Sequence, residues 1–328
     1  MTDSTEARYW IGFDLGGTKM FAKLFDAQFK QVASDRAKTK GHEGDAAGLA
    51  RMAKIINKIL EDSGVSREQL AGIGIGCPGP LDLDRGVIMS APNLGWTNVA
   101  VKKYLEGEFK CPAVVLNDVD AGVYGEFRFG VGKKHRTVVG VFPGTGIGGG
   151  CVYEGKIIRG RTSSCMEIGH VQVAPEGPLC GCGRRGCLEA VASRLAIASR
   201  AATAAYRGQA PHLLKNAGTD LADIRSGALA ASIAAGDAAV EDIVREAARH
   251  IGRAVAGVVH LLSPDLVVLG GGMVEAMTEL FVGEVGEAAK RRVLPSFADT
   301  FEVAPAKLGD DAGVMGAAAW AEQCVTGA

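Results

Sequence analysis

Three cysteines fall within eight residues in Cys180-Gly-Cys182-Gly-Arg-Arg-Gly-Cys187-Leu-Glu189, and no other run in the chain carries as much chemical information. Thiolates at that spacing, separated by glycines that let the backbone turn tightly, suit a tetrahedral zinc ion better than a packed core. A fourth ligand is needed. His170 stands ten residues upstream of Cys180, and Pro175, Gly177 and Pro178 make the intervening segment a loop. The expected ligand set is therefore His170, Cys180, Cys182 and Cys187. Four protein ligands close the coordination sphere, so the metal would be structural and would not activate water. The competing readings are a disulfide or buried thiols. Cys180 and Cys182 are too close for an easy bridge, and the glycine spacing has no packing rationale. Glu167 and Glu189 flank the ligands and would project from the same rigid knot.

Two glycine turns offer a second kind of chemistry. Asp14-Leu-Gly16-Gly17-Thr18-Lys19 joins the strand-like runs 9–13 and 20–25, and Gly144-Thr145-Gly146-Ile-Gly-Gly-Gly150 joins 137–142 to 151–153. Glycine lets backbone N–H groups approach phosphate oxygens, while Thr18 and Thr145 supply hydroxyl donors. Either turn alone is also a plain hairpin. As a pair, one per half, they are expected to embrace one polyphosphate, with Asp14 anchoring Mg²⁺ directly or through water. A dinucleotide reading fails. Gly144-x-Gly146-x-x-Gly149 fits G-x-G-x-x-G, but so does Gly74-x-Gly76-x-x-Gly79 despite Pro78, and the motif needs a helix where 150–155 reads as strand and turn. The P-loop and protein-kinase signatures are absent.

The elements that must position these groups alternate between strand and helix. Further strands are expected at 72–76, 113–116 and 266–269, and helices at 46–62, 99–108, 119–127 and 310–323. Asn117 and Asp118 follow a buried strand at its carboxyl end, where open α/β sheets bind ligands. Either residue would also serve as the N-cap of the next helix, and Asp120 reads as a solvated first-turn acid. Residues 193–262 are alanine-rich and helical, with breaks expected near 208–211 and Gly227. The chain thus reads as two related α/β halves. At 328 residues and 47% hydrophobic it is long enough for two cores. A net charge of −1 without a Lys/Arg block gives no footprint for nucleic acid or an anionic membrane. The N-terminus is short and polar, and no uncharged run reaches membrane-span length, so a cytoplasmic location is expected. Cys77, Cys111, Cys151, Cys165 and Cys324 would be reduced and mostly buried, and Trp10, Trp96 and Trp320 packing residues, with Trp96 near enough to Asn93 to line a pocket.

Taken in order, Asp14-Leu-Gly-Gly-Thr-Lys19, Asn117-Asp118, Gly144 to Gly150, Glu167-x-Gly-His170 and the cysteine run through Glu189 resemble the ROK family of sugar kinases and sugar-responsive repressors. The resemblance covers essentially the whole chain. It implies the actin/hexokinase-like, ribonuclease H-like α/β fold, with two domains closing over ATP and a hexose at a central cleft and with a structural zinc loop. The expected small domain comprises 1–118 and 311–328, and the large domain 119–310.

By the same resemblance, Asp118 is the general base that deprotonates the sugar hydroxyl. Asn117, Glu167, His170 and Glu189 bind sugar hydroxyls, with one ring nitrogen of His170 on zinc and the other on the sugar. Gly79 and Asn93 lie in segments similar to those lining the sugar pocket of glucokinase-like members, and Gly271 and Gly272 resemble the loop beneath the adenosine. Pro143 and Met166 depart from the family pattern, standing where an aliphatic and a small residue are usual. The implied activity is ATP-dependent phosphorylation of a hexose at its primary hydroxyl, glucose foremost. N-acetylmannosamine, N-acetylglucosamine, fructose, mannose and allose are alternatives, as is a sugar-sensing regulator. Family repressors carry a helix-turn-helix before the first phosphate loop, for which Asp14 leaves no room. A homodimer is the family expectation.

Overall fold

The computed structural model describes residues 8–161 and 165–327. The extreme termini of the expected small domain, and residues 162–164 of the large one, lie outside the described residues. The chain divides into two compact units, one of Met1–Lys133, Gly155–Cys165 and Asp310–Ala328 and the other of Lys134–Glu154 and Met166–Gly309.

In the first unit, strands β1 (Tyr9–Leu15), β2 (Lys19–Phe25) and β3 (Gln31–Lys38) form an antiparallel meander. Helix α1 (Asp45–Ser63) then leads to β4 (Leu70–Cys77), which pairs parallel to β1. A small antiparallel sheet of β5 (Leu81–Asp82), β6 (Val87–Ala91) and β7 (Trp96–Val99) precedes helix α2 (Val101–Phe109). Strand β8 (Ala113–Asn117) completes the order β3-β2-β1-β4-β8 and runs into helix α3 (Asp118–Arg128).

The second unit repeats the plan. An antiparallel hairpin of β9 (Thr137–Pro143) and β10 (Ile147–Tyr153) comes first; the two-residue β11 (Lys156–Ile157), next in sequence, belongs to the Gly155–Cys165 segment of the first unit. Helices α4 (Leu188–Ala192), α5 (Arg194–Tyr206), α6 (Pro211–Ala217), α7 (Ser226–Ala234) and α8 (Ala238–Leu262) lead to β12 (Leu266–Leu269), which pairs parallel to β9. After α9 (Gly272–Ala276) and α10 (Thr278–Lys290), β13 (Glu302–Pro305) adds parallel to β12. The order β10-β9-β12-β13 matches β2-β1-β4-β8 strand for strand and direction for direction. Helix α11 (Asp311–Thr326) belongs to the first unit.

Period-two alternation decides which residues of β1 meet which helix. Ile11, Phe13 and Leu15 join a core with Met52, Ile56 and Ile59 of α1 and Leu105 and Phe109 of α2. On the opposite face Trp10 packs with Phe21, Phe25 and with Val314, Ala318 and Ala321 of α11. Gly12 shares that second face, and a Cβ there would stand 1.8 Å from the Val314 carbonyl oxygen; at Gly74 of β4 it would stand 1.8 Å from that of Ala317. Bare strand backbone is what lets α11 lie this close to the sheet. By the same alternation Asp14, two residues beyond Gly12, also faces α11.

The structure departs from the sequence reading in several places. The first unit runs past Asp118 because α3 packs on α11, where a Cβ on Gly125 would meet the Ala312 carbonyl oxygen at 2.2 Å. Gly227 lies inside α7, and the helical breaks around it fall at 218–225 and 235–237 instead. Asp120 is 2% exposed, so it is not a solvated acid. Trp96 is 1% exposed and wedged beside Gly48 of α1, which makes it a packing residue with no face on a pocket. Cys77, Cys111 and Cys151 are buried, Cys165 half-buried and Cys324 exposed. Among the described residues no helix is long and apolar enough to cross a membrane.

Candidate active site

In the first unit the expected residues collect at the carboxyl ends of adjacent strands. Asp14 is near the end of β1, and Asn117 and Asp118 stand where β8 passes into α3. Between them in the sheet, β4 contributes Gly76 and Cys77, paired with Asp14 and Asn117 respectively. The two carboxylates feel each other. Burial first, and then the charge of Asp118, push the Asp14 carboxyl up to about 6, with Lys19 opposing and Asp310 adding to the rise. The buried Cys77 thiol is pushed well above its ordinary range by burial and by the same two acids, so it stays protonated and unreactive. The first turn of α11 lies over this site, since a Cβ on Gly313 would come within 4.0 Å of the Asp14 carboxyl carbon.

Asn117 is the N-cap of α3, its Oδ1 accepting from the backbone N–H groups of Val119 at 2.8 Å and Asp120 at 3.3 Å. Asp118 occupies the first helical position, where its Oδ1 accepts from Val119 N–H at 2.9 Å. Capping thus explains Asn117 and holds Asp118 at the strand-to-helix corner. The side-chain nitrogen of Asn117 lies 3.9 Å from where a Cβ of Gly79 would be, so Gly79 borders it. Asn93 backs onto the first glycine turn, its Cβ 3.2 Å from the corresponding position on Gly17. That turn closes with Gly16 N–H donating to the Lys19 carbonyl at 3.0 Å. Lys19 pairs with Asp310 at 2.9 Å. Thr39, which the sequence did not single out, braces the turn: its hydroxyl donates to the Gly16 carbonyl at 2.6 Å and its N–H to that of Thr18 at 2.9 Å.

In the second unit His170, Cys180, Cys182 and Cys187 present ligand atoms that all lie within 4.8 Å of one another. Cys182 Sγ and Cys187 Sγ are 3.7 Å apart, and Cys180 Sγ and His170 Nδ1 are 3.8 Å apart. Tetrahedral zinc with its usual bond lengths separates such atoms by about 3.5–3.8 Å. The donor set and spacing therefore fit a zinc loop. Gly183 and Gly186, at φ 84° and 72°, make the turns between ligands, and a Cβ on Gly186 would collide with the Ala174 carbonyl oxygen.

Cys187 is also the N-cap residue of α4, which fixes Glu189 in that helix's first turn. Glu189 Oε2 accepts from Ile147 N–H at 3.0 Å, and a side chain on Gly146 would strike the same oxygen. The metal-type loop is thereby tied to the second glycine turn, a link the sequence did not reveal. Glu167 is exposed at the start of the short 3₁₀ turn Ile168–His170, its carbonyl accepting from His170 N–H at 3.0 Å. Met166 before it adopts φ 61°, a left-handed conformation that a bulky residue tolerates poorly. Gly144 and Thr145 both meet Arg194, another residue outside the sequence reading: its N–H donates to the Gly144 carbonyl at 2.8 Å and its Nη2 to Thr145 Oγ1 at 3.1 Å. Gly271, at φ 86°, borders Pro143, and Gly272 opens α9 near Ser226. As the motif test anticipated, the second glycine turn runs into strand β10 and not into a helix.

The ROK family model matches residues 10–324. The chain belongs to the ROK family. A glucokinase of Thermotoga maritima is 34% identical over 319 residues, 97% of this chain and 98% of that one. A ROK family glucokinase from Streptomyces griseus, solved with glucose and AMPPNP, superposes with a TM-score of 0.81 at 31% identity, covering 96% of this chain and 99% of that one. A ROK hexokinase from Thermus thermophilus gives 0.82 at 32% identity, with coverages of 98% and 100%. This ROK protein has the family's hexokinase-like α/β fold.

The raised Asp14 pKa has a consequence for stability. An acid whose folded pKa exceeds its unfolded value destabilises the fold once ionised: the cost is absent below the unfolded pKa of 3.8, grows as pH rises, and is complete above about 6. At pH 7.5 it amounts to about 3 kcal/mol. Asp14→Asn is expected to raise the thermal midpoint of the magnesium-free protein at pH 7.5, with the gain shrinking toward zero as pH falls from 6 to 4. Thermal melts in which the variant is no more stable at pH 7.5, or gains equally at pH 4, would contradict this account of the site.

Proposed function

We propose that this chain is an ATP-dependent glucokinase, transferring the γ-phosphoryl group of MgATP to the primary hydroxyl of glucose. The observation that carries this reading is the placement of Asp118 at the carboxyl end of β8, in the field of Asp14 and on the sheet that holds the Gly16–Lys19 turn. Support comes from the family membership and from relatives that are themselves glucokinases across nearly their full length.

Asp118 takes the proton of the sugar's 6-hydroxyl as the bond from that oxygen to the γ-phosphorus forms. The bond from the γ-phosphorus to the β-phosphate oxygen breaks, ADP leaves, and the proton passes from Asp118 to solvent. Catalysis rests mainly on positioning and charge stabilisation. Asn117, with Oδ1 committed to the helix cap, offers its side-chain N–H to a sugar hydroxyl. Gly79, Asn93, Glu167, His170 and Glu189 supply the other sugar contacts. Gly16, Gly17, Thr18 and Lys19, with Gly144, Thr145 and Gly146, receive the phosphates, and Gly271 and Gly272 underlie the adenosine. Asp14 would hold Mg²⁺, which would offset the charge of the phosphates.

His170, Cys180, Cys182 and Cys187 would hold a structural Zn²⁺. Nδ1 of His170 lies 3.8 Å from Cys180 Sγ, which leaves Nε2 for the sugar. Fixing Cys187 fixes the start of α4 and with it Glu189. The reduced thiols and the use of ATP suit a cytosolic enzyme. The family resemblance adds a homodimer, which sedimentation equilibrium at twice the 34.0 kDa chain mass would support and at the chain mass would contradict.

Asp118→Asn is expected to keep glucose binding but to lose at least about a hundredfold in kcat, the scale of a general base. Near-normal turnover by the folded variant would remove Asp118 from that role. Stripping zinc, or Cys182→Ser, is expected to weaken glucose binding more than ADP binding. Titration calorimetry showing equal glucose affinity for zinc-replete and zinc-free protein would refute the organising role of the metal.

A further inference from the structure

Within the second unit a cavity of about 450 Å³ is lined by Arg194, Leu195, Leu221, Ala222, Arg225 and Ser226. It adjoins both loops already described: Arg194 bonds to Gly144 and Thr145, and Ser226 Oγ is 3.4 Å from the Cβ position of Gly272. Its lining residues include two arginines and no acid. Among the described residues neither arginine has a carboxylate partner within 4.0 Å; Arg225 Nε donates to the Ala222 carbonyl at 3.0 Å, and Arg194 spends one donor on the Thr145 hydroxyl. This contrasts with Arg200 and Arg245 on α5 and α8, each paired with a glutamate.

Two arginines lining one cavity, neither with a carboxylate within 4.0 Å among the described residues, make a seat for an anion, and the planar fork of arginine suits phosphate oxygens. Leu195, Leu221 and Ala222 supply an apolar flank. The combination suits a molecule that is phosphate at one end and flat and apolar at the other. We infer that Arg194 contacts the nucleotide phosphates directly, beyond holding Thr145 in place, and that Arg225 supplies the second positive charge of the same cavity. The inference rests on the reading that the Gly144–Gly150 turn receives the nucleotide, and it names the groups that retain ADP.

Calorimetric titration of ADP and of adenosine into wild type, Arg194→Ala and Arg194→Gln separates the possibilities. Both variants are expected to lose about tenfold or more in ADP affinity, with adenosine affinity changed less than about twofold. The ADP deficit should narrow as salt rises. Arg194→Gln keeps a donor for Thr145 without the charge, so it serves where the alanine variant folds poorly. In a Thr145→Val background Arg194→Ala should still weaken ADP; no further loss there would mean that Arg194 acts only through Thr145 and would overturn the inference. Equal ADP affinity in wild type and both Arg194 variants would overturn it too, leaving the nucleotide reading intact. Wild-type protein that fails to bind ADP would overturn both.

Discussion

Two carboxylates held near each other at the end of one sheet are the constraint on which the first unit depends. Asp14 and Asp118 sit at strand ends on either side of β4, and burial, with the charge of Asp118 second, raises the Asp14 pKa to about 6. Folding alone would not choose this arrangement. It persists because the surrounding structure leaves no alternative: Gly12 and Gly74 admit α11 onto the sheet, α11 brings its first turn to Asp14, and the Asn117 cap fixes the corner from which Asp118 projects. Lys19 and Lys23 meet Asp310 and Asp311 at the same end of α11, at 2.9 and 2.7 Å, and Lys19 partly offsets the rise at Asp14. Such tension between stability and ionisation is what a site built to receive a cation and a proton requires.

The second unit solves a related problem with cross-links in place of packing. Its glycine turn has little side-chain bulk with which to hold itself, so neighbours reach in from outside: Glu189 to the Ile147 N–H, and Arg194 to Gly144 and Thr145. Both come from the start of helices that follow the cysteine loop. Order in that loop therefore propagates to the turn through two helix starts, beginning from the four ligand atoms gathered in the loop. The matching strand orders of the two units show that one plan has been furnished in two ways.

What the sequence made legible was the position of unusual residue types at short spacing. The cysteine run, the glycine turns and Asn117-Asp118 were readable because few physical roles suit those combinations, and β12 was found to the residue because a buried parallel strand is a plain apolar run. Strand β3 escaped because it lies at a sheet edge with alternately exposed and half-buried positions and no apolar stripe. The β5–β7 sheet and β13 are too short for periodicity to register. Arg194, Thr39 and the tie from Glu189 to Ile147 were hidden for another reason: each is a contact between residues more than twenty positions apart, and nothing local marks it. Asp120 misled because a first-turn acid is usually solvated, whereas here α3 is covered by α11.

The claim that this ROK protein moves phosphate from ATP to the 6-oxygen of glucose is tested most directly by phosphorus NMR of its reaction with ATP and glucose, alongside 6-deoxyglucose. The account requires ADP and a phosphomonoester coupled to the two C6 protons of glucose in equal amounts, and no ADP with the 6-deoxy sugar. ADP formed at the same rate with either sugar or with none, or phosphate on any other hydroxyl, would contradict it.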